Sequence, residues 1–268
     1  METIKKEDLD LSNVSRTMFL TMLARARETE REGGIVNDPM AVQMAKKIDG
    51  VFPVQKGDWK TETGVIVRTS VIDDYVMEFI EKHPDAVCIN FGCGLDTRFH
   101  RVNNGKIKWY DIDLPAAIAV RKKLIGEVKN VTMLGYDLFA GEWMQHIETE
   151  DRPVLVIVEG LLMYFKEAEV KKALDLIYDK FQKAHLVIEV LSDRVVGKEN
   201  ASIKETGSKF KWGVSSGKDV EKLNSHYHFI KETNLVERMQ LKMKIYKVIA
   251  KIPAIANLSN RIAVFDMD

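Results

Sequence analysis

The sequence is poor in cysteine, and it lacks the apolar runs that membranes require. Its two cysteines, Cys88 and Cys93, are too few for a disulfide framework or for a zinc site made of thiolates alone. Residues 1–10 are charged rather than apolar, and no apolar run reaches the roughly 20 residues of a membrane span. These absences predict a cytoplasmic globular protein with reduced thiols, no signal peptide and no membrane contact.

An excess of charge of one sign is also absent. Lysine plus arginine number 40, aspartate plus glutamate number 40, and the formal net charge is +0. Since proteins dedicated to nucleic acids normally carry a basic excess, we expect no nucleic-acid partner. A late lysine series (Lys242, Lys244, Lys247 and Lys251) has the spacing of a membrane-facing stripe, but acidic residues elsewhere cancel its charge. We interpret it as the solvent-facing side of a helix.

The first third of the chain shows helical patterns and no strand alternation. An amphipathic pattern over residues 14–26 is followed by a Gly-Gly pair, and Asp38-Pro39 is typical of the start of a second helix. A third apolar pattern leads towards the first strand. We therefore expect residues 1–82 to form a helical lobe or lid, followed by a larger domain over residues 83–268.

From residue 86 onward the pattern changes to alternating strands and helices. Such alternation predicts an α/β fold, a mostly parallel sheet with helices on both faces. We expect helices over residues 116–125, 141–147 and 167–181, and a loop or insertion over the site at about residues 192–217. The seven predicted strands, the last of them antiparallel, cover residues 86–91, 107–110, 131–134, 154–158, 186–190, 226–230 and 261–265.

Two neighbouring strands end in residues that are typical of a nucleoside site. The first predicted strand ends in Gly92-Cys93-Gly94, where the missing Cβ atoms allow a sharp turn against a ligand. The second ends in Asp111-Ile112-Asp113, and an acid at the end of the second strand of a doubly wound sheet holds ribose hydroxyls. Together they predict a nucleoside-binding crevice at the carboxyl ends of these strands.

The same crevice is poorly suited to a dinucleotide. A dinucleotide fingerprint has a third glycine where this chain has Asp96 and Thr97, and a carboxylate there would repel a pyrophosphate. An adenosyl compound with a positive centre fits better, and S-adenosylmethionine is the candidate cofactor. A nicotinamide-dependent oxidoreductase is the alternative of a different class.

Four linked motifs identify a family. They occupy residues 91–98, 109–115, 135–138 and 158–165. In this order and spacing they resemble the leucine carboxyl methyltransferase family, which includes small-molecule O-methyltransferases of polyketide biosynthesis. The resemblance implies a class I methyltransferase fold, which is Rossmann-like, and the use of S-adenosylmethionine.

The resemblance also implies which residues bind the cofactor. Arg68 would pair with the methionine carboxylate, Asp113 would hold the ribose, and Glu159 would lie beside the positive amino-acid end. Asp111 stands two residues before Asp113 and is able to share the ribose contact or replace it. Purely structural roles for these residues remain open; Asp137, for example, is also a good helix cap. The full set is Arg68, Gly92, Cys93, Gly94, Asp111, Asp113, Asp137, Leu138 and Glu159.

The acceptor side is less defined by the sequence. A carboxylate acceptor is ionised at neutral pH, whereas a phenol gains from a general base. The candidate bases are His226, His228, Tyr164 and Glu189, and the two histidines are equally typical of an ordinary sheet edge. His226 and His228 lack a third metal ligand nearby, so we expect no metal.

The leading hypothesis is an O-methyltransferase that acts on a hydroxyl or carboxylate of a small, polyketide-like metabolite. The alternatives are a methyltransferase for a protein C-terminal carboxylate and a cofactor-binding protein without turnover.

Overall fold

The computed structural model describes residues 13–48, 59–199, 203–204, 207–252 and 258–268. The expectation for residues 1–10 lies outside this part of the chain, and the predicted insertion at 192–217 lies partly outside it. No helix within the described ranges is long and apolar enough to cross a membrane.

The described strands form a seven-stranded sheet in the order β3-β2-β1-β4-β5-β7-β6. Strands β1 to β5 pair in parallel, and β7 lies antiparallel between β5 and β6. The predicted sheet with its antiparallel last strand is confirmed. The strands are β1 (Val87–Phe91), β2 (Lys108–Asp113), β3 (Val131–Gly135), β4 (Val154–Val158), β5 (His185–Val190), β6 (Tyr227–Asn234) and β7 (Arg261–Met267).

Eight α-helices have both ends within the described residues, and local chemistry explains where the second of them begins. The Asp38 carboxylate accepts the backbone N–H of Ala41 at 3.0 Å, and Pro39 opens the helix that follows. The helices are α1 (Asn13–Thr29), α2 (Pro39–Lys47), α3 (Trp59–Lys82), α4 (Arg98–Val102), α5 (Pro115–Ile125), α6 (Glu167–Phe181), α7 (Leu235–Arg238) and α8 (Tyr246–Ile249).

Two predicted helices differ in the structure. The helix expected over residues 141–147 is a short 3-10 helix at Glu142–His146, preceded by Gly141 in the left-handed region. The late lysine series lies on no continuous helix, because a 3-10 helix at Met239–Leu241 and the turn that follows it separate α7 from α8. A long helix is stabilised by burying an apolar face, and the apolar side chains of this stretch remain largely exposed.

The core lies on both faces of the sheet. Strands β1 and β4 are buried along their whole length, as their continuous apolar runs predict. One face packs against α6, for example through Ile177, and the other packs against α3 through Val71 and Val76. A third cluster joins α1, α2 and α5, with Met22 and Met44 fully buried. Helices α1 and α2 are therefore packed onto the sheet layer through α5, whereas α3 packs on the sheet directly.

The sheet order reverses between β1 and β4. Ligands of open α/β sheets bind outside the carboxyl ends of the strands at such a point. Helix α1 passes over this edge, since Met18 contacts the position where a Cβ of Gly94 would lie. The connection from β6 to β7 also starts at this edge, because β6 is parallel to β5.

Candidate functional site

A cavity of about 330 Å³ opens where the sheet order reverses. It lies at the carboxyl ends of β1, β2 and β4 and beneath α1. Eight of the nine residues predicted to bind the cofactor line it: Arg68, Gly92, Cys93, Gly94, Asp113, Asp137, Leu138 and Glu159. The sequence therefore predicted residues that the fold brings to one place.

The turn after β1 forms the floor of the cavity. Gly92 and Gly94 have φ values of +64° and +45°, which favour glycine. A Cβ on Gly94 would lie 2.8 Å from the Cβ of Met18, and one on Gly92 would lie 2.9 Å from a methyl group of Leu161. The two glycines thus allow α1 and the segment after β4 to approach the turn.

Two carboxylates at the cavity wall have no ion pair within the described ranges. Asp113 accepts the N–H of Gly94 at 2.8 Å and the N–H of Leu114 at 2.7 Å. Burial raises the pKa of Asp113 above its usual value. Asp137 accepts the N–H of Phe139 at 2.9 Å, so it also caps the 3-10 helix Leu138–Ala140, which is the structural role considered for it above. Lone pairs on both residues remain available to a ligand.

The opposite wall carries a paired charge cluster. The Arg68 guanidinium donates to Glu159 at 2.6 Å and to Glu189 at 2.9 Å. Glu159 also accepts Nη2 of Arg98 at 2.6 Å. Burial raises the pKa of Glu159, but the charges of Arg68 and Arg98 outweigh it and hold this pKa below its usual value. Glu159 is therefore an ionised acceptor, and Glu189 fixes the orientation of Arg68.

Sequence reasoning missed the charge network behind this wall. Arg98 is buried and donates to Asp73 and Asp96 at 2.7 Å each. Arg101 pairs with Asp73 and Asp38 at 2.6 and 2.9 Å. The run Asp96-Thr97-Arg98 in the first motif was the only sequence signal of this network. The acidic partners Asp73 and Asp38 lie on other elements, so the pairing is not visible in the sequence. Cavity residues that sequence reasoning missed include Thr17, Thr21, Arg25, Tyr136, Phe139 and Lys211.

The prediction of a cofactor contact from Asp111 is corrected by its position. Asp111 is fully buried beneath the cavity floor and is not among the lining residues. Its carboxylate accepts from Arg121 at 2.5 Å, from Trp109 Nε1 at 2.9 Å and from Asn90 Nδ2 at 3.1 Å. Because its oxygens are engaged inside the protein, Asp111 forms a structural ion pair with Arg121, whereas Asp113 on the same strand lines the cavity.

The two candidate histidines lie away from the cavity. Strand β6 is the outer strand on the far side of β5 and β7. His226 stacks on Tyr178, and its Nδ1 lies 2.9 Å from the backbone oxygen of Asp268. His228 is exposed and pairs with the Asp268 carboxylate. This placement does not fit the catalytic role that the sequence suggested for them, and no metal-binding group of three ligands occurs among the described residues.

Tyr164 lines the cavity, but its raised pKa makes it a poor general base. Burial raises the pKa of Tyr164 to about 12, and its side chain is hydrogen-bonded to Thr17 of α1. A phenol with this pKa remains protonated at neutral pH. Tyr164 is therefore suited to donate a hydrogen bond and not to act as the general base for which the sequence made it a candidate.

The sheet order and the position of the cavity are those of the class I methyltransferase fold. Solved structures agree in fold: magnesium protoporphyrin IX methyltransferase (ChlM) from Synechocystis PCC 6803 with bound S-adenosylhomocysteine has a TM-score of 0.51 at 10% identity, covering 86% of this chain and 94% of that one. The plantazolicin methyltransferase BamL has a TM-score of 0.51 at 13% identity, covering 95% and 99%.

The sequence model of the leucine carboxyl methyltransferase family matches residues 18–178, and the chain belongs to this family. It is similar to the tetracenomycin polyketide synthesis O-methyltransferase TcmP of Streptomyces glaucescens, with 27% identity over 80% of each chain. It is also similar to the S-adenosyl-L-methionine-dependent methyltransferase dpfgK of Gibberella zeae, with 25% identity over 82% of this chain and 81% of that one. The resemblance predicted from the motifs is confirmed, as is the cofactor.

Proposed function

We propose that this protein transfers a methyl group from S-adenosylmethionine to an oxygen atom of a small metabolite, a carboxylate or an acidic hydroxyl. The similarity to an O-methyltransferase of polyketide synthesis supports oxygen as the acceptor atom. The observation that carries the proposal is the make-up of the cavity, which joins a nucleoside-type wall to aromatic side chains and one lysine.

The residues present fit the cofactor. Asp113 would accept the ribose hydroxyls, and Asp137 with the N–H of Leu138 would hold the adenine edge. Glu159 would face the cofactor's amine, while Arg68, fixed by its two glutamates, would attract the methionine carboxylate. The unpaired carboxylates Asp113 and Asp137 favour a ligand with a positive centre and disfavour the pyrophosphate of a nicotinamide cofactor.

Methyl transfer needs alignment more than acid-base chemistry. The bound cofactor supplies an activated methyl carbon, and the chain contributes by orienting the acceptor in line with it and by excluding water. No histidine lines the described cavity, and Tyr164 is protonated at neutral pH. An acceptor therefore has to reach the cavity already ionised or with a low pKa, as carboxylic acids and acidic phenols do.

The acceptor side of the cavity has the matching features. Phe139, Phe165 and Leu161 provide an apolar wall. Lys211 lies at the same cavity, and its ammonium group has no ion pair in the described part of the chain. We place the negative oxygen of the acceptor near this ammonium and its apolar body against the aromatic rings, while Tyr164 donates a hydrogen bond to it.

Transfer of a radiolabelled methyl group tests the proposal. The purified protein is offered labelled S-adenosylmethionine with a panel of phenols of graded acidity, aromatic carboxylic acids and a phosphatase catalytic subunit. We expect label in the acids or the most acidic phenols. Label in the phosphatase would instead identify a protein carboxyl methyltransferase. Tight binding of S-adenosylhomocysteine without any transfer would identify a binding protein that lacks turnover.

A further inference from the structure

The connection between β6 and β7 has an unusual surface. From residue 238 to residue 252 it contains five cations (Arg238, Lys242, Lys244, Lys247 and Lys251) and no acidic residue, in a chain whose formal net charge is +0. Helices α7 and α8 and the 3-10 helix Met239–Leu241 are short. The segment leaves β6 at the sheet edge that carries the cavity.

The same segment exposes bulky apolar side chains. Of the ten large apolar side chains that are exposed in the described residues, six lie between residues 241 and 258, with exposed fractions of 42% to 65%. They are Leu241, Met243, Ile245, Val248, Ile252 and Leu258. Scattered exposed apolar residues are ordinary, but a cluster of this kind marks a surface that contacts something apolar.

The cations of the segment fall into two groups. Arg238 pairs with Asp74 of α3, and Lys242 pairs with Glu28 of α1 at 2.6 Å, so these two fasten the segment to the helices. Lys244, Lys247 and Lys251 are exposed and have no ion pair with any described residue. The outward surface therefore combines unpaired positive charge with exposed apolar side chains. We name Leu241, Met243, Lys244, Ile245, Lys247, Val248, Lys251 and Ile252 the cationic apolar surface.

We propose that the cationic apolar surface docks on an anionic lipid bilayer. Lysines near anionic headgroups gain electrostatic attraction, while neighbouring leucine, isoleucine and valine side chains enter the boundary between headgroups and acyl chains. A second copy of this chain is a poorer occupant, because self-association through this surface would bring six unpaired lysines together. This proposal departs from the sequence-based expectation of no membrane contact, although no helix of the described residues is long and apolar enough to cross a membrane.

The connection that carries the cationic apolar surface also contacts the cavity wall. The cavity and the β6–β7 connection share one edge of the sheet, and Asn260 at the end of the connection donates to Glu189 at 2.7 Å. Glu189 in turn holds Arg68 at the cavity. Asn260 and Glu189 thus link the end of the connection to Arg68 of the cavity. The proposal does not depend on the identity of the methyl acceptor.

Vesicle co-sedimentation tests the docking. The full chain is mixed with vesicles of phosphatidylcholine and phosphatidylserine at 3:1 and with vesicles of phosphatidylcholine alone. We expect binding to the anionic vesicles, weak binding to the neutral ones and release by 0.5 M salt. The double variant Lys244→Glu/Lys247→Glu should bind at least about tenfold more weakly, since each lysine near an anionic surface contributes attraction. Leu241→Ser/Val248→Ser should also lose binding at unchanged charge.

The matched control is Lys123→Glu/Lys129→Glu, which makes the same charge change beside the opposite edge of the sheet. It should keep the binding of the parent protein. Equal losses in both charge variants would overturn the proposal, since only net charge would matter. Failure of the parent protein to bind anionic vesicles would overturn it as well, as would a concentration-dependent dimer abolished by Leu241→Ser/Val248→Ser. Retained binding of S-adenosylhomocysteine verifies that each variant is folded.

Discussion

Asp111 and Asp113 lie on the same strand, but their surroundings give them different roles. Asp113 ends β2 at the cavity and, within the described part of the chain, accepts only backbone N–H groups, whereas Asp111 is fully buried and ion-paired with Arg121. The sequence indicated an acid at this strand end but left both residues open, because the position of Arg121 on the following helix is a tertiary fact.

Replacing Asp113 should weaken cofactor binding with little effect on folding. Asp113 is the acceptor that we propose for the ribose hydroxyls, so we expect Asp113→Ala to lose about 1–3 kcal/mol in affinity for S-adenosylhomocysteine. Isothermal titration calorimetry measures it. An affinity equal to that of the parent protein would contradict the assignment.

Replacing Asp111 should instead lower stability. Asp111→Asn leaves the buried Arg121 without its carboxylate, which costs about 3–5 kcal/mol in the free energy of unfolding. Urea unfolding followed by circular dichroism checks this, with Asp113→Ala as the comparison. A smaller loss of stability in Asp111→Asn than in Asp113→Ala would show that the two roles are reversed.

Lys211 provides the residue-scale test of the acceptor side. If its ammonium holds the acceptor's negative oxygen, Lys211→Met should raise the KM of an acidic acceptor by roughly tenfold, the effect of one charged hydrogen bond. Affinity for S-adenosylhomocysteine should stay the same. The neighbouring exposed Lys209 does not line the cavity, so Lys209→Met is the matched control. Equal KM values for Lys211→Met and the parent protein would remove Lys211 from the site.

At the scale of elements, the turn after β1 depends on the close approach of α1. A side chain on Gly94 would meet the Cβ of Met18 at 2.8 Å, at a φ of +45° that side chains rarely adopt. Gly94→Val should therefore displace α1 from the cavity and reduce cofactor affinity by at least tenfold.

Gly105→Val is the control for backbone strain alone. Gly105 has a φ of +81°, and no atom lies within 4 Å of its Cβ position. This variant should lose stability through the strained backbone, about 1–2 kcal/mol, but retain cofactor affinity. Equal affinities of the two variants in calorimetry would contradict the role assigned to the approach of α1.

Elements with strong local signals were predictable. The helix over residues 167–181 matches α6 (Glu167–Phe181), because its apolar period and its strand neighbours agree. The structure around α7 and α8 was not predictable. Its lysines have helical spacing, but its apolar side chains remain exposed and so do not stabilise a long helix. The site followed the same rule: motif residues at the ends of β1, β2 and β4 were found, but Thr17, Thr21 and Lys211 reach the cavity only through tertiary packing.

At the scale of the whole molecule, we propose that residues 1–82 act as a lid on the methyltransferase domain. Helix α1 supplies Thr17, Met18 and Thr21 to the cavity. Buried ion pairs from Arg25 to Asp38 and from Arg101 to Asp38 connect this helix to α2 and α4. These ion pairs thus connect the proposed lid to helix α4, which directly follows the turn after β1 that borders the cavity.

This network predicts how stability depends on pH. Burial raises the pKa of Asp38, but Arg25 and Arg101 outweigh it, so that this pKa, like that of Glu159, lies below its ordinary value. Carboxylates with lowered folded pKa values stabilise the protein fully above their unfolded pKa, about 4, and lose this contribution as the pH falls through the folded values. The urea midpoint should therefore fall steeply below about pH 4. A midpoint that rises on acidification would contradict the assignment.

The most direct test of the account is the change in melting temperature that each nucleoside ligand causes. At a concentration 100-fold above its Kd, S-adenosylhomocysteine should stabilise the chain by about 2.7 kcal/mol, which raises Tm by roughly 5–10 °C. NAD should cause no shift, and Asp113→Ala should reduce the shift caused by S-adenosylhomocysteine. Stabilisation by NAD, or an undiminished shift in Asp113→Ala, would contradict the site described at the carboxyl ends of β1 and β2.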